Sequence, residues 1–302
     1  MPVSHSVSPA PRVSTNVIAR ALMQLAARLP LAVLHASGAA LGWAIYALSP
    51  RYRKHLRENL ENAGYRDAAT RRATIAEAGR MITELPALWL LPHAEVAALV
   101  REVRGWELVE AARAAGRGIV FLTPHLGSFE ISALYTTVQV PMTILYRPPK
   151  IGWIEPFMRA GRERPNVKLA TPDLRGVRRL LDALKRRETI GILPDQVPGE
   201  GEGEWAEFFG LPAYTMSLAN KLAARDGAVC LIAFAERLPA GAGYVLSFRP
   251  FPEPLAGESG TRTLNRAIED LIRECPRQYL WGYNRYKTPA RAAQASPDRG
   301  AR

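Results

Sequence analysis

The chain of 302 residues contains only two cysteines, Cys230 and Cys275, which lie far apart in the sequence. Neither belongs to a CxxC pair or to a Cys/His set with the spacing of zinc ligands, so we expect no metal site and no disulfide framework. We interpret both as reduced thiols in the core of a protein that folds in the cytosol. The scarcity of cysteine excludes the small, disulfide-stabilised class of secreted domain.

Several motifs that carry chemistry are also missing. The chain has no Gly-X-Ser-X-Gly turn, no Walker sequence, no EF-hand loop and no internal repeat. Neither cysteine is close in sequence to a candidate base, so a covalent enzyme intermediate is not expected. We expect no cofactor.

Acidic residues are few relative to basic ones: 28 Asp and Glu stand against 40 Lys and Arg, for a formal net charge of +12. Such a surplus suits an anionic partner, such as nucleic acid, an acidic membrane, a phosphorylated lipid or an acidic protein. No dense Lys/Arg run with interleaved aromatic residues occurs, which disfavours nucleic acid. Hydrophobic residues make up 48%, enough for a sizeable core.

One long uncharged run, at positions 29–48, could cross a hydrocarbon core about 30 Å thick as a helix. Pro30, His35 and Gly42 dilute its apolar character. More basic residues follow the run than precede it, which favours a cytoplasmic C-terminal side. We interpret it as a membrane anchor that either spans the bilayer or lies in its interface. A buried core helix and a signal peptide are the alternatives.

Apolar runs and helical periodicity alternate through the rest of the chain, after a helical pattern over 51–104. The predicted strands are 118–123, 143–147, 167–170, 189–194, 229–234 and 244–249, and the predicted helices are 128–137, 153–162, 174–187, 215–224 and 261–273. This order predicts an α/β fold with an open mixed, largely parallel sheet flanked by helices. We divide the chain into a disordered N-terminus (1–16), a membrane-anchoring helix region (17–50), a main domain (51–288) and a flexible tail (289–302).

His125 and Glu130 directly follow the predicted strand that ends before Pro124. If the intervening loop folds back, Glu130 can accept a hydrogen bond from one ring nitrogen of His125 and leave the other free as a general base. Such a pair also arises by chance. Its position at the carboxyl end of a strand, where open α/β sheets bind their ligands, favours a catalytic role.

Further polar residues follow other predicted strands. Arg147 can hold a phosphate or a developing negative charge, or can be a solvated turn residue. Arg164 belongs to a group of arginines of which one or two can bind an anion. Asp195 can orient a basic group or cap the next turn, and Gln196 follows it. We assign Arg147, Arg164, Asp195 and Gln196 to substrate binding.

Three later segments carry weaker signals. The acidic, glycine-rich stretch 199–204 is predicted to be mobile and can act as a lid. The stretch 208–215 is predicted to enter a helix, and its aromatic and small residues can either line an acyl groove or simply pack in the core. Aromatic and basic residues alternate over 276–287, a pattern typical of a segment that rests on lipid headgroups.

Taken in order, these features resemble the bacterial lipid A biosynthesis late acyltransferases (the lauroyl and myristoyl acyltransferases), within the wider lysophospholipid acyltransferase superfamily. The resemblance covers residues 17–288. It includes the N-terminal apolar helix, the HX4E motif at His125 and Glu130, and the segments 146–148, 194–196, 208–215 and 278–287. The chain departs from the family at 282–284, where a basic residue or histidine is more common, and this leaves the acceptor lipid open.

The resemblance implies transfer of a fatty acyl chain from acyl carrier protein to a hydroxyl of a lipid A precursor, a secondary acylation. It places the protein at the bacterial inner membrane, with the acyltransferase domain (51–288) facing the cytoplasm. His125 would remove the acceptor proton and Glu130 would orient the imidazole. Another polar lipid or a lysophospholipid as acceptor, a hydrolase or a non-catalytic lipid-binding homologue, and a membrane-tethered nucleic-acid binder are the alternatives.

Overall fold

The computed structural model of the protein describes residues 17–149, 151–225 and 227–289. Within these ranges lie twelve α-helices and nine β-strands. The helices are α1 (Val17–Ala27), α2 (Leu31–Leu48), α3 (Pro50–Asn62), α4 (Ala68–Thr83), α5 (Leu85–Leu90), α6 (His93–Ala97), α7 (Trp106–Ala114), α8 (Phe129–Gln139), α9 (Glu155–Arg162), α10 (Leu174–Lys185), α11 (Ser217–Ala223) and α12 (Gly260–Glu274). The strands are β1 (Val100–Arg104), β2 (Gly118–Leu122), β3 (Met142–Leu145), β4 (Val167–Ala170), β5 (Thr189–Ile192), β6 (Gly203–Phe208), β7 (Leu211–Met216), β8 (Ala228–Arg237) and β9 (Tyr244–Pro250).

Seven strands form one sheet in the order β1-β9-β8-β2-β5-β3-β4. All neighbouring pairs are parallel except β8 and β9, which are antiparallel. The predicted α/β fold with an open, mixed and largely parallel sheet is therefore confirmed. The predicted division into domains stays a prediction, and its N-terminal segment 1–16 and nearly all of its tail lie outside the described residues.

Strand β2 lies near the middle of the sheet and is buried along its whole length. Its side chains alternate between two cores: Val120 and Leu122 pack with α3, α4 and α10–α12 on one face. Ile119 and Phe121 pack with α6–α8 on the other. A strand covered on both faces reads as a continuous apolar run, which is why it was recognisable in the sequence.

Two elements differ from the predictions. Strand β1 lies in a stretch predicted to be helical, because its parallel pairing with β9, far along the chain, outweighs local preference. The segment 203–216 is the antiparallel hairpin β6–β7, where the sequence predicted the end of a mobile lid (199–204) and the approach to a helix (208–215). The helix predicted at 215–224 is present as α11. The turn of the hairpin uses Phe209 and Gly210, both with positive φ (49° and 74°), the geometry of a tight hairpin turn. The Phe209 N–H donates to Glu269 Oε1 at 2.9 Å and holds this unusual residue in place.

The segment 276–287 is part of the core. Tyr279, Trp281 and Arg285 are 5%, 2% and 2% exposed, and the Trp281 carbonyl accepts a hydrogen bond from Asn59 Nδ2 at 2.7 Å. The prediction that this segment rests on lipid headgroups is therefore wrong. Its aromatic residues pack with Phe208 and Phe209 of the hairpin.

Helix α2 is the single helix in the described residues that is long and apolar enough to cross a membrane, with a mean hydropathy of 1.5. Length and composition alone do not separate a membrane span from a core helix or a signal sequence.

Candidate active site

The register of the sheet brings His125 and Asp195 together. Leu122 of β2 pairs with Ile192 of the parallel neighbour β5. His125 lies three positions after Leu122, and Asp195 lies three positions after Ile192. The two segments therefore leave the sheet side by side at its carboxyl edge. This is the edge at which open α/β sheets bind their ligands.

Asp195 fixes the orientation of the His125 side chain. The Asp195 Oδ1 atom lies 2.8 Å from His125 Nδ1, and Oδ2 accepts the His125 backbone N–H at 3.0 Å. Because a carboxylate accepts only, Nδ1 carries the proton and Nε2 keeps its lone pair. Gln196 Nε2 lies 3.2 Å from that second nitrogen. The imidazole is thus held with Nδ1 against Asp195 and Nε2 against Gln196, and both His125 and Gln196 line the cavity.

Asp195 is 3% exposed. Burial alone would raise the pKa of this carboxyl, but the charge of His125 and the hydrogen bonds from its ring and backbone outweigh burial and lower the pKa. Asp195 therefore remains ionised at neutral pH and can stabilise the imidazolium that forms when His125 accepts a proton. Of the two roles predicted for Asp195, orienting a basic group is the one that this geometry matches. Its assignment to substrate binding does not match, because its side chain is buried against His125 and is not among the described residues that line the cavity.

The loop that carries His125 is hydrogen-bonded to two other segments. The His125 carbonyl accepts from Leu280 N at 3.1 Å, and Ser128 N donates to the Ala235 carbonyl at 2.8 Å. Gly127 adopts a left-handed conformation (φ 62°) where a Cβ would lie 2.0 Å from the Ala235 oxygen, so only glycine fits.

Contrary to the prediction, Glu130 does not contact the imidazole of His125. It is 5% exposed and forms a two-pronged ion pair with Arg162: Arg162 Nε donates to Oε2 at 3.1 Å, and Nη2 donates to Oε1. The predicted hydrogen bond fails because Glu130 lies inside the first turn of α8, whereas Asp195 comes from the neighbouring strand. Arg162 had no distinguishing signal in the sequence, where it reads as a charge at the end of a helix.

The charge of Arg162 is secured by its surroundings. Burial alone would lower its pKa, but the charge of Glu130 and the hydrogen bonds to it outweigh burial and raise the pKa. The guanidinium also lies over the Tyr146 ring, 5.6 Å from its centroid. Two of the five N–H bonds of Arg162 point to Glu130, so the group keeps further donors for a ligand.

The remaining predicted residues separate into two sets. Arg147 and Gln196 line the same cavity as His125, with Arg147 exposed at its mouth. Arg164 is not among the lining residues in the described part of the chain. Its guanidinium instead donates to the carbonyls of Trp89 and Leu91 at 3.0 Å each, which closes the end of α5. The structure thus gives Arg164 a helix-capping position rather than the predicted substrate contact.

The cavity in front of His125 has a volume of about 480 Å³, within the range of ligand sites. Its apolar walls come from α5, α8, α9 and the ends of β3 and β7, and they include Leu85, Trp89, Phe129, Leu145, Met158 and Met216. Its polar groups are His125, Glu130, Arg147, Arg162, Gln196, Tyr283 and Lys287. A cavity lined by both apolar side chains and a set that includes an imidazole and several cations suits a ligand that has a hydrocarbon chain and an anionic or polar head.

The two cysteines take no part in this site. They are free thiols, as predicted, and Cys275 is buried. Burial raises the pKa of Cys275 to about 12 and also raises that of Cys230, so neither forms a thiolate at neutral pH. A cysteine-based covalent intermediate is therefore disfavoured.

Comparison with known proteins gives a consistent result. The sequence profile of the family described as "Bacterial lipid A biosynthesis acyltransferase" matches residues 6–288. The chain is 28% identical over 281 residues to a lipid A biosynthesis lauroyltransferase of Escherichia coli (strain K12), covering 88% of this chain and 89% of that protein. It is also 28% identical over 270 residues to a lipid A biosynthesis palmitoleoyltransferase of the same organism and to a lipid A biosynthesis acyltransferase of Shigella flexneri, with 86% of this chain and 87% of each relative covered.

Proposed function

Because the chain belongs to the bacterial lipid A biosynthesis acyltransferase family, we propose that it transfers a fatty acyl chain from an acyl carrier protein thioester to a hydroxyl of a lipid A precursor. The observation that carries the proposal is the His125 imidazole, whose Nδ1 is bound by buried Asp195 and whose Nε2 is on the cavity side. Acyl transfer to a hydroxyl needs such a base.

The reaction proceeds by direct attack. His125 Nε2 takes the acceptor hydroxyl proton while the hydroxyl oxygen bonds to the thioester carbonyl carbon. The tetrahedral oxyanion then expels the thiolate, which takes the proton back from the imidazolium. The Gln196 side-chain nitrogen lies 3.2 Å from His125 Nε2, and the acceptor hydroxyl replaces it there.

Arg162 stabilises the oxyanion. It lines the cavity with His125, stays charged, and is held in one orientation by Glu130 and Tyr146. A preorganised cation of this kind costs no reorganisation at the moment of reaction. Glu130 thereby serves as a positioning residue for Arg162, and Arg147 and Lys287 at the cavity mouth bind the phosphate groups of the two substrates.

We expect Glu130→Gln to lower kcat by about 10²-fold, because Arg162 loses its counter-charge and its fixed orientation. The pH–rate profile should keep its shape on the acid side, since the His125–Asp195 pair is intact. Measuring kcat from pH 5 to 9 for wild type, Glu130→Gln and Arg162→Lys tests this assignment. A shift of the acid limb in Glu130→Gln would show that Glu130 acts on the base, as the sequence had suggested, and not on Arg162.

The donor is proposed to be an acidic carrier protein because the chain carries a net charge of +12, which favours association with an anionic partner. The reaction would take place at the cytoplasmic face of the inner membrane. An acyl-carrier-protein donor predicts a KM for donor that rises steeply with salt, because surface charge pairs are screened.

The function is tested by offering acyl carrier protein thioesters to a panel of acceptors, with products weighed by mass spectrometry. Lauroyl and palmitoleoyl donors belong in the set because relatives are named for those chains. Kdo-bearing lipid A precursor and lysophospholipids are the acceptors, with His125→Ala as control. A lipid A product made only by wild type supports the proposal. If only lysophospholipid is acylated, the acyl-transfer reaction stands but its acceptor is not a lipid A precursor. If the thioester is cleaved and no acceptor is acylated, the protein is not a transferase.

A further inference from the structure

Helices α1 and α2 expose a row of large apolar side chains. Val17, Ile18, Leu22, Leu25, Leu29, Val33, Leu41, Trp43 and Leu48 are each between 36% and 83% exposed. We call this set the N-terminal apolar face. Isolated exposed hydrophobic residues are ordinary, but nine within 32 successive positions form a patch that calls for a partner.

The opposite side of α2 is packed tightly against the polar helix α4. A Cβ on Gly42 would lie 2.0 Å from the Ile75 carbonyl oxygen, and one on Gly79 would lie 1.9 Å from the Gly38 oxygen. Gly38 lies against the backbone of Arg80, and Gly42 lies against Ile75 and Gly79. Because the later residue of α2 contacts the earlier residues of α4, the two helices run antiparallel, with their backbones in contact over about two turns. Only glycine permits this approach.

A buried ionic cluster pins the start of α2 to the sheet. His35 Nε2 lies 3.2 Å from Glu84 Oε2. Arg237 of β8 donates to Glu84 at 2.7 and 2.8 Å and to Glu77 at 2.7 Å. Burial alone would raise the pKa of Glu84, but Arg237 and then His35 hold it at about 2. Breaking such a buried set by removing one member is strongly destabilising, so α2 cannot leave α4 at low cost.

The end of α2 is held as well. Arg53 of α3 donates to the carbonyls of Tyr46 and Ala47 at 2.9 and 3.0 Å, and α3 continues into the core through Leu56 and Leu60. Residues 17–57 contain six Lys and Arg and no Asp or Glu. The stretch of chain that carries the N-terminal apolar face thus has a positive net charge, which complements anionic lipid headgroups.

We infer that α2 does not cross the membrane: the N-terminal apolar face lies in the interface of an anionic phospholipid bilayer, with α1 and α2 in its plane. If α2 spanned the bilayer, the attached α4 would carry Arg72 and Arg80 into the hydrocarbon, where each arginine is costly. An in-plane helix buries its apolar side and keeps α4 in water. This arrangement goes beyond the proposed function and holds whichever lipid accepts the acyl chain.

Topology is tested with single cysteines in a full-length protein that lacks Cys230 and Cys275. Arg28→Cys and Arg51→Cys flank α2 and are exposed. In right-side-out and inverted inner-membrane vesicles, a membrane-impermeant maleimide should label both positions from the same side. Labelling of the two from opposite sides would mean that α2 spans the bilayer and would overturn the inference.

The occupant of the face is tested with vesicles of phosphatidylglycerol and phosphatidylcholine. Leu22→Asp and Leu41→Asp should each lower the partition coefficient onto mixed vesicles by about 10-fold or more, since each removes a leucine that the bilayer would bury. Leu255→Asp is the matched control, because Leu255 is 61% exposed but far from this face in sequence, and it should bind as wild type does. If the two face variants bind vesicles normally but convert a dimer to a monomer, the face packs on a second copy of the chain and the inference is wrong.

Discussion

His125→Ala should lower the rate of acyl transfer by about 10²–10⁴-fold, the usual contribution of general-base catalysis, or about 3–5 kcal/mol of activation free energy. The loss follows from the removal of the only imidazole nitrogen among the described residues that lines the cavity. The measurement is single-turnover transfer from an acyl carrier protein thioester, with saturating acceptor.

The alanine variant leaves buried Asp195 without its ring partner, so His125→Asn provides the matched control. Its amide can donate to Asp195 from nearly the position of Nδ1 but cannot act as a base, and we expect the same loss of rate from a protein with wild-type melting behaviour. Gln196→Ala removes the other group near Nε2 and should cost less than about 10-fold, since an amide does not accept the acceptor proton. More than about a tenth of wild-type rate in folded His125→Asn would reject His125 as the base.

Asp195→Asn should lower the rate by about 10²–10⁴-fold, although the substitution changes only one atom. The asparagine amide can donate to Nδ1, which moves the ring proton to Nε2 and blocks the base; a comparable tautomer change is known to be severe in Ser-His-Asp enzymes. Single-turnover rates of wild type and variant measure this effect.

The same variant separates catalysis from folding. Because the pKa of Asp195 is depressed in the folded protein, its stabilising contribution is fully present above the unfolded value of about 4 and is lost as pH falls through the folded value. Wild type should therefore lose stability in that acidic range, and Asp195→Asn should lack this component of the loss. Asp182→Asn, at an exposed ion pair with Lys185, should change neither rate nor acid stability. An Asp195→Asn protein with wild-type rate would remove Asp195 from the mechanism.

Some strands of the sheet were predictable from local sequence, and others were not. The strands β2 and β5 were predicted within one or two residues at each end, because both are fully buried parallel strands, which are short apolar runs in sequence. The hairpin β6–β7 and strand β1 were missed. Strand β1 depends on its pairing with the distant strand β9. The hairpin depends on a turn at Phe209 that is stabilised by Glu269 of α12. No local pattern reveals either contact.

The candidate site shows the same division. Chemistry-bearing residues at strand ends, such as His125, Arg147 and Asp195, could be selected because the position itself is informative. Which of these residues pair with one another could not be predicted. The sequence spacing suggested Glu130 as partner of His125, but the β2–β5 register supplies Asp195 from 70 positions away, and Glu130 turns to Arg162.

By itself, the sequence determined the α/β class, the apolar N-terminal helix and the family, and it selected His125 as the candidate base, because each depends on local composition or on motifs in order. The tertiary structure alone decided three matters: which carboxylate orients His125, that Arg162 lines the cavity, and that α2 is bound along one side to α4. Each of these is a contact between segments distant in sequence, set by strand register or by helix packing. Hydrophobic patterning specifies which faces are buried but not which buried faces meet.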